Sequence, residues 1–236
     1  MMLLDPHRPV HRFVTDHLAA ARVFDRHGID YCCHGDESLE ESCRKRQLDP
    51  NKIIEELSLL DMESAPNDFF ELGLGDLADH IVHTHHVFLR TELPALTEKV
   101  EKVLKAHGDR DPRLLDVRRV LLGLRSELEH HMQKEEQILF PLCHQLGDPD
   151  SQEAALYCGS VRAPISVMVS EHEEAGSALD HLKELTDGFA VPDDSCATHR
   201  SMIFELARLE ADLHRHIHKE NYILFPRALA QEAAAS

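Results

Sequence analysis

Along most of the 236-residue chain, apolar positions recur every three to four residues, and almost no stretch alternates as a half-buried strand would. The pattern predicts an all-α protein. Residues 9–27 read as a first helix, stopped at Gly28, a residue type that readily takes the left-handed conformation closing helices. The loop Ile29-Asp30-Tyr31-Cys32-Cys33-His34-Gly35 follows. Ser38 and Glu41 have capping-box spacing and open a short helix. Asp49-Pro50 supplies a cap and a first-turn proline for another helix over 50–61. Residues 62–66 read as a linker, so residues 1–65 form a small helical domain near the lower size limit for independent folding.

Four long helices are predicted next, over 74–106, 112–146, 162–187 and 196–230. Their joints are His107-Gly108-Asp109, Gly147-Asp148-Pro149 and Val191-Pro192-Asp193-Asp194. Short connections between long helices imply an antiparallel four-helix bundle over 74–236. Helices two and four of this bundle carry one device twice. His131-Met-Gln-Lys-Glu-Glu-Gln-Ile-Leu-Phe-Pro141 and His216-Ile-His-Lys-Glu-Asn-Tyr-Ile-Leu-Phe-Pro226 agree at seven of eleven positions. Helices one and three offer His86 and His172 at matching distances, 45 residues before His131 and 44 before His216.

Residues four apart on a helix lie ~40° from each other on one face. His131/Glu135 and His216/Glu220 therefore project together. Helical phase places them in apolar stripes: Val117, Leu121, Leu124, Leu128, His131, Glu135, Ile138 and Leu142 in helix two, and Leu206, Leu209, Leu213, His216, Glu220 and Ile223 in helix four. In helix one the stripe is Val82, His86, Leu89 and Leu93, whereas a stripe through His85 runs into Glu92. In helix three it is Ile165, Val169, His172, Gly176 and Leu179. A glutamate within a core stripe is costly unless its charge is compensated, so two of them, each a turn from a histidine, call for cations.

The predicted metal ligands are His86, His131, Glu135, His172, His216 and Glu220. Two divalent ions retain positive charge against two carboxylates, which an oxo or hydroxo bridge complements. Imidazole and carboxylate donors with open positions suit iron better than a closed structural zinc site, and manganese fits the same donors. Glu127, four residues before His131, and Glu171, next to His172, are placed to bond a ligand histidine or to line an entry path. His80, His83, His85 and His130 lie near the site in sequence; His11, His199, His214 and His218 fall off the stripes and read as solvated or locally packed.

Composition narrows the function classes. Forty-three acidic against 25 basic residues give a net charge of −18, which repels a phosphate backbone and an anionic membrane surface. The absence of tryptophan weakens any case for base stacking, while 19 histidines favour metal. No apolar run is long enough to span a bilayer, and the first residues carry charge and proline where a secretion signal needs an apolar stretch. Six scattered cysteines do not form a disulfide framework, so the expectation is a reducing cytoplasm. Cys32-Cys33 sits between helices; a helix N-terminus or His34 would acidify a thiol there, while Asp30, Asp36 and Glu37 would do the opposite. Cys43 is a candidate third partner, and Cys143, Cys158 and Cys196 read as packing.

These residues resemble the hemerythrin-like di-iron bundle. With Asp30-Tyr-Cys-Cys-His-Gly35, Pro164-Ile-Ser-Val-Met168, Ser170-Glu-His and Glu220-Asn-Tyr-Ile-Leu-Phe-Pro-Arg-Ala-Leu229, nearly the whole chain resembles the di-iron family that repairs iron–sulfur clusters. The resemblance implies the same six ligands, acidic residues Glu127 and Glu171 on a solvent path, and a functional Cys32-Cys33 pair acting as redox or iron-transfer thiols. Oxygen-carrying hemerythrins have a fifth histidine where this chain has Gly176, which favours reactivity or iron release over oxygen carriage. His34 also departs from the glycine frequent in the repair family. The expected function is repair of clusters damaged by oxidative or nitrosative stress, by supplying iron. The alternatives are reduction of nitric oxide at the di-iron centre and binding or sensing of nitric oxide or oxygen. The expected partners are damaged iron–sulfur proteins, without nucleic acid or membrane, around a monomer or homodimer.

Overall fold

A computed structural model describes residues 4–60, 69, 71–147, 160–193 and 195–235. The linker expected at 62–66, Asp148-Pro149, Cys158 and Asp194 lie outside them. Among the described residues the chain is all-α, with one isolated bridge between Pro9 and Ser38.

The first expected helix is two, α1 (Val10–Asp16) and α2 (Ala20–His27), because His17 takes extended backbone and breaks the run. Gly28 closes α2 at φ 64°. In α3 (Leu39–Lys45), Ser38 Oγ accepts the Glu41 amide at 3.2 Å, but the Glu41 carboxylate turns to Arg44. Asp49 caps α4 (Pro50–Ser58), which ends three residues before the expected boundary. Phe13, Phe24, Tyr31, Leu39 and Leu57 fill one core here, and Ile217 of the bundle completes it.

The bundle contains α5 (Leu74–Ile81), α6 (Val87–His107), α7 (Arg113–Lys134), α8 (Phe140–Gly147), α9 (Arg162–Leu185), α10 (Ala197–Lys219) and α11 (Phe225–Ala235). α5 runs into α6, α7 into α8 and α10 into α11, each through one π-helical turn: Val82–His86, Glu135–Leu139 and Glu220–Leu224. In each, the closing amide reaches five residues back: Val87 to Val82, Phe140 to Glu135 and Phe225 to Glu220. Pro141 and Pro226 follow two of these turns. A proline ring clashes with the carbonyl four residues earlier in a regular helix, and the widened turn relieves that clash.

Each π turn inserts one residue into the helical phase, and this corrects the expected stripes. Ile138 is 52% exposed while Leu139 is buried. Ile81, rather than Val82, is fully buried. In α9, which has no π turn, the buried line runs through Met168, His172, Ala175 and Leu179; Val169 faces out and Gly176 sits at its margin.

Two apolar layers fill the bundle. One contains Leu89, Leu93, Leu124, Leu128, Leu179 and Leu209. The other contains Leu77, Ile81, Leu139, Phe140, Met168 and Leu224. His86, His131, Glu135, His172, His216 and Glu220 are buried between these layers, so the fold holds a belt of histidine and glutamate across its middle.

Candidate metal centre

The belt brings all six predicted ligands together. One group of mutually close donor atoms is His86, Glu135, His216 and Glu220; the other is His131, Glu135, His172 and Glu220. Both glutamates belong to both groups and are fully buried. Each group takes one histidine from the first helical pair and one from the second. Glu135 lies 3.3 Å from the Nε2 atoms of His86 and His131, and Glu220 lies 3.0 Å from His216 and 3.1 Å from His172.

Hydrogen bonds orient three of the rings. His86 Nδ1 donates to Glu136 at 2.6 Å, His131 Nδ1 to Glu171 at 2.9 Å, and His172 Nδ1 to the Asn221 amide oxygen at 2.9 Å. A histidine that donates from Nδ1 presents the Nε2 lone pair to a cation. Glu136 is held by Arg90, and Glu171 by Lys134. Glu127 is exposed and lines the approach without bonding a ligand histidine.

The atoms left over fit a metal. His86 Nε2, both Glu135 carboxylate oxygens and Glu220 Oε2 are buried without a hydrogen-bond partner. His131 Nε2 and His172 Nε2 face each other at 3.2 Å, although each ring already donates from its other nitrogen. Two neutral rings so oriented point lone pair at lone pair, an arrangement a cation between them resolves. Protons act in its place in the metal-free site. Burial lowers the His131 pKa, but Glu135 and Glu220 outweigh it and raise it to about 9. Burial pushes the Glu135 carboxyl up, and Glu220 adds to this, yet His131 and His86 hold it below its ordinary value. Burial likewise opposes ionisation of Glu220, and His216 and His172 hold it far below.

A cavity of about 190 Å³ reaches the site past Glu127, Lys134, Glu171 and Ala175, with His131, His172 and His216 in its wall. On the neighbouring side sits the cysteine loop. Cys33 Sγ contacts the His172 carbonyl at 3.6 Å, and Asn221 Nδ2 donates to the Cys32 carbonyl at 2.9 Å. Asn221 thus joins the loop to a predicted ligand. A side chain on Gly176 would meet Cys33 Sγ at 3.3 Å, so the missing histidine leaves space that the thiol occupies. Cys32 and Cys33 are free thiols 3.7 Å apart. Bonding to Cys33, burial and Asp30 raise the Cys32 pKa well above the thiol range. His34 donates to Asp30 and not to a thiol. The close group is Asp30, Cys32 and Cys33, without Cys43.

Several residues that the stripes set aside are built into the interior. His85 is buried beside the site, bonded to Asp212 and Lys219. His218 is buried at the junction with the small unit, on Tyr31 and Thr15, and His11 stacks there on Tyr222. His214 pairs with Asp25. Cys196, read as packing, is exposed, while Cys143 is buried. Glu136 and Asn221 lie outside the predicted ligand set; each directly follows a predicted ligand glutamate, the one mark the sequence gives them.

A four-helix bundle with a buried His/Glu belt defines a cation-binding protein of the hemerythrin class. Residues 77–228 match the Hemerythrin HHE cation binding domain, and residues 6–61 match a Domain of Unknown function (DUF542). The chain is 36% identical over 226 residues to the iron-sulfur cluster repair protein YtfE of Enterobacter sp. (strain 638), covering 95% of this chain and 98% of that one. Proteins of the same name from Escherichia coli O81 (strain ED1a) and Escherichia fergusonii are also 36% identical, over 90% of this chain and 92% of theirs. The chain therefore belongs to the hemerythrin family and, within it, to the YtfE family. No described helix is long and apolar enough to cross a membrane.

Proposed function

We propose that this chain is a di-iron protein that repairs damaged iron–sulfur clusters by supplying iron. The observation that carries the reading is the pair of shared, fully buried glutamates flanked by four histidines, with orphaned donor atoms aimed at one another. The names of the relatives support the repair role. His86, His131, Glu135, His172, His216 and Glu220 would hold two iron ions, bridged by oxo or hydroxo, and the ions would supply redox chemistry and exchangeable iron. Glu136, Glu171 and Asn221 fix the tautomers of three ligands. Glu127 and Glu171 line the path by which small ligands and cations reach the site. Cys33, against His172, is positioned to receive iron or electrons at the site's edge. The proposed recipients are damaged iron–sulfur proteins, and free thiols at the loop suit a reducing cytoplasm.

The test uses iron-loaded protein and an iron–sulfur enzyme damaged by nitric oxide. We expect reactivation that Glu135→Ala and Glu220→Ala abolish; equal reactivation by free ferrous iron at the same concentration would overturn the reading. A second reading is nitric oxide reduction or sensing, favoured by a cavity that opens past Glu127 and Glu171 onto three of the clustered histidines. Nitrous oxide produced under turnover would identify reduction, and reversible release of the gas with the site intact would identify sensing.

A further inference from the structure

Three of the four clustered histidines have an acceptor on Nδ1, and His216 has none: its Nδ1 is buried without a hydrogen-bond partner. A ligand ring usually owes its orientation to that bond. Beside His216 lies the ring of His85, parallel to it within 3° at 5.1 Å between centroids. His85 is itself fixed at both nitrogens. Its Nδ1 lies 3.0 Å from Asp212, and its Nε2 lies 2.9 Å from the Lys219 ammonium. Lys219 is buried, bonds His80 at 3.1 Å as well, and rests over the ring of Phe69. Asp212, Lys219 and His216 all lie on α10, so one imidazole from the π turn is clamped by a single facing helix.

We infer that His85 is a positioning residue for His216: a flat plate, held edge-on by Asp212 and Lys219, that sets the ligand ring by stacking where the others are set by a hydrogen bond. The two glutamates and the remaining histidines need no such plate. Stacking fixes the plane of His216 without placing an anion on its Nδ1, so His216 stays a weaker donor than His86 or His131, whose Nδ1 partners are carboxylates. The inference rests on the metal-centre reading above and makes the metal position between His86 and His216 depend on a residue that does not touch the metal.

The test adds ferrous iron, without oxygen, to the metal-free full chain and measures iron bound against a competing chelator, together with Mössbauer spectra. If the unaltered chain binds no iron, the metal-centre reading fails and the inference falls with it. If it binds iron, His85→Ala is expected to weaken one of the two equivalents about 10-fold and to change one iron signal. His85→Phe, which keeps the plate but frees both of its edges, is expected to recover most of that affinity and to leave the signal broadened. Lys219→Met, which frees one edge, is expected to broaden the same signal with a smaller loss. Melting curves of the metal-free variants separate these effects from unfolding; should His85→Ala not fold, the Phe and Met variants decide. Unchanged affinity and spectra in Lys219→Met and His85→Ala, or no recovery of affinity in His85→Phe, would overturn the inference.

Discussion

Glu135 and Glu220 carry most of the electrostatic tension in this protein, since both are fully buried and share one site. Each is held ionised by two neighbouring histidines. Glu135→Gln preserves volume and removes one charge. We expect iron per chain to fall from about two to one or fewer, and the melting temperature of metal-free protein to fall as well, because Glu135 is held ionised in the fold and its loss leaves His131 without that partner; elemental analysis and calorimetry check both halves. At the other end of the bundle, Cys196 lies 3.3 Å from His107 Nε2, and bonding to His107 and to backbone amides lowers its pKa to about 7. Among the five described cysteines it should react first with iodoacetamide at pH 7.5, read by peptide mass spectrometry. The six clustered donors were legible in the sequence because the His-x-x-x-Glu device is duplicated and in phase with Leu128 and Leu213. Glu136 and Asn221 were not, since His86 meets the first across 50 residues and His172 meets the second across 49. Asp212 and Lys219 look like ordinary surface charges until His85 is seen between them.

At the scale of elements, the π turns decide which side chains are core. If Glu135–Leu139 were regular helix, Ile138 would be inside; with the turn, Leu139 is. Leu139→Ala should cost about 2–5 kcal/mol and Ile138→Ala less than about 0.5 kcal/mol, measured by urea unfolding. A straight 3.6-residue phase fails here because a π turn leaves no distinctive residue type behind. Its trace was Leu-Phe-Pro, repeated at Pro141 and Pro226, where a helix-breaking residue sits inside what reads as continuous helix. Helix ends were clearer: Gly28, Ser38 and Asp49 each act as the local chemistry predicts. The break at His17 carries no such signal. Asn221 is the element-level link between the cysteine loop and His172. Asn221→Leu should leave helicity intact and speed hydrogen exchange at the amides of residues 32–34, because it removes the tie to the Cys32 carbonyl.

Across the whole molecule, the small unit and the bundle share a core through Ile217, and buried histidines line their junction. Burial lowers His11 and His218 to about 4 against an ordinary 6.5. The unfolded chain therefore takes up protons below pH 6.5 that the folded chain refuses until pH falls to about 4, so stability declines across that window as pH falls. Thermal melts of metal-free protein from pH 7 to 5 should show the decline, and His218→Gln should flatten it.

Neither donor group lies within a single helical pair, since His86 is grouped with His216 and His131 with His172. The ions would therefore act as rivets between the two halves of the bundle. A chain cut between Gly147 and Ser160 would yield two fragments, each holding half of both sites, and their reassociation would answer to iron as much as to the apolar layers.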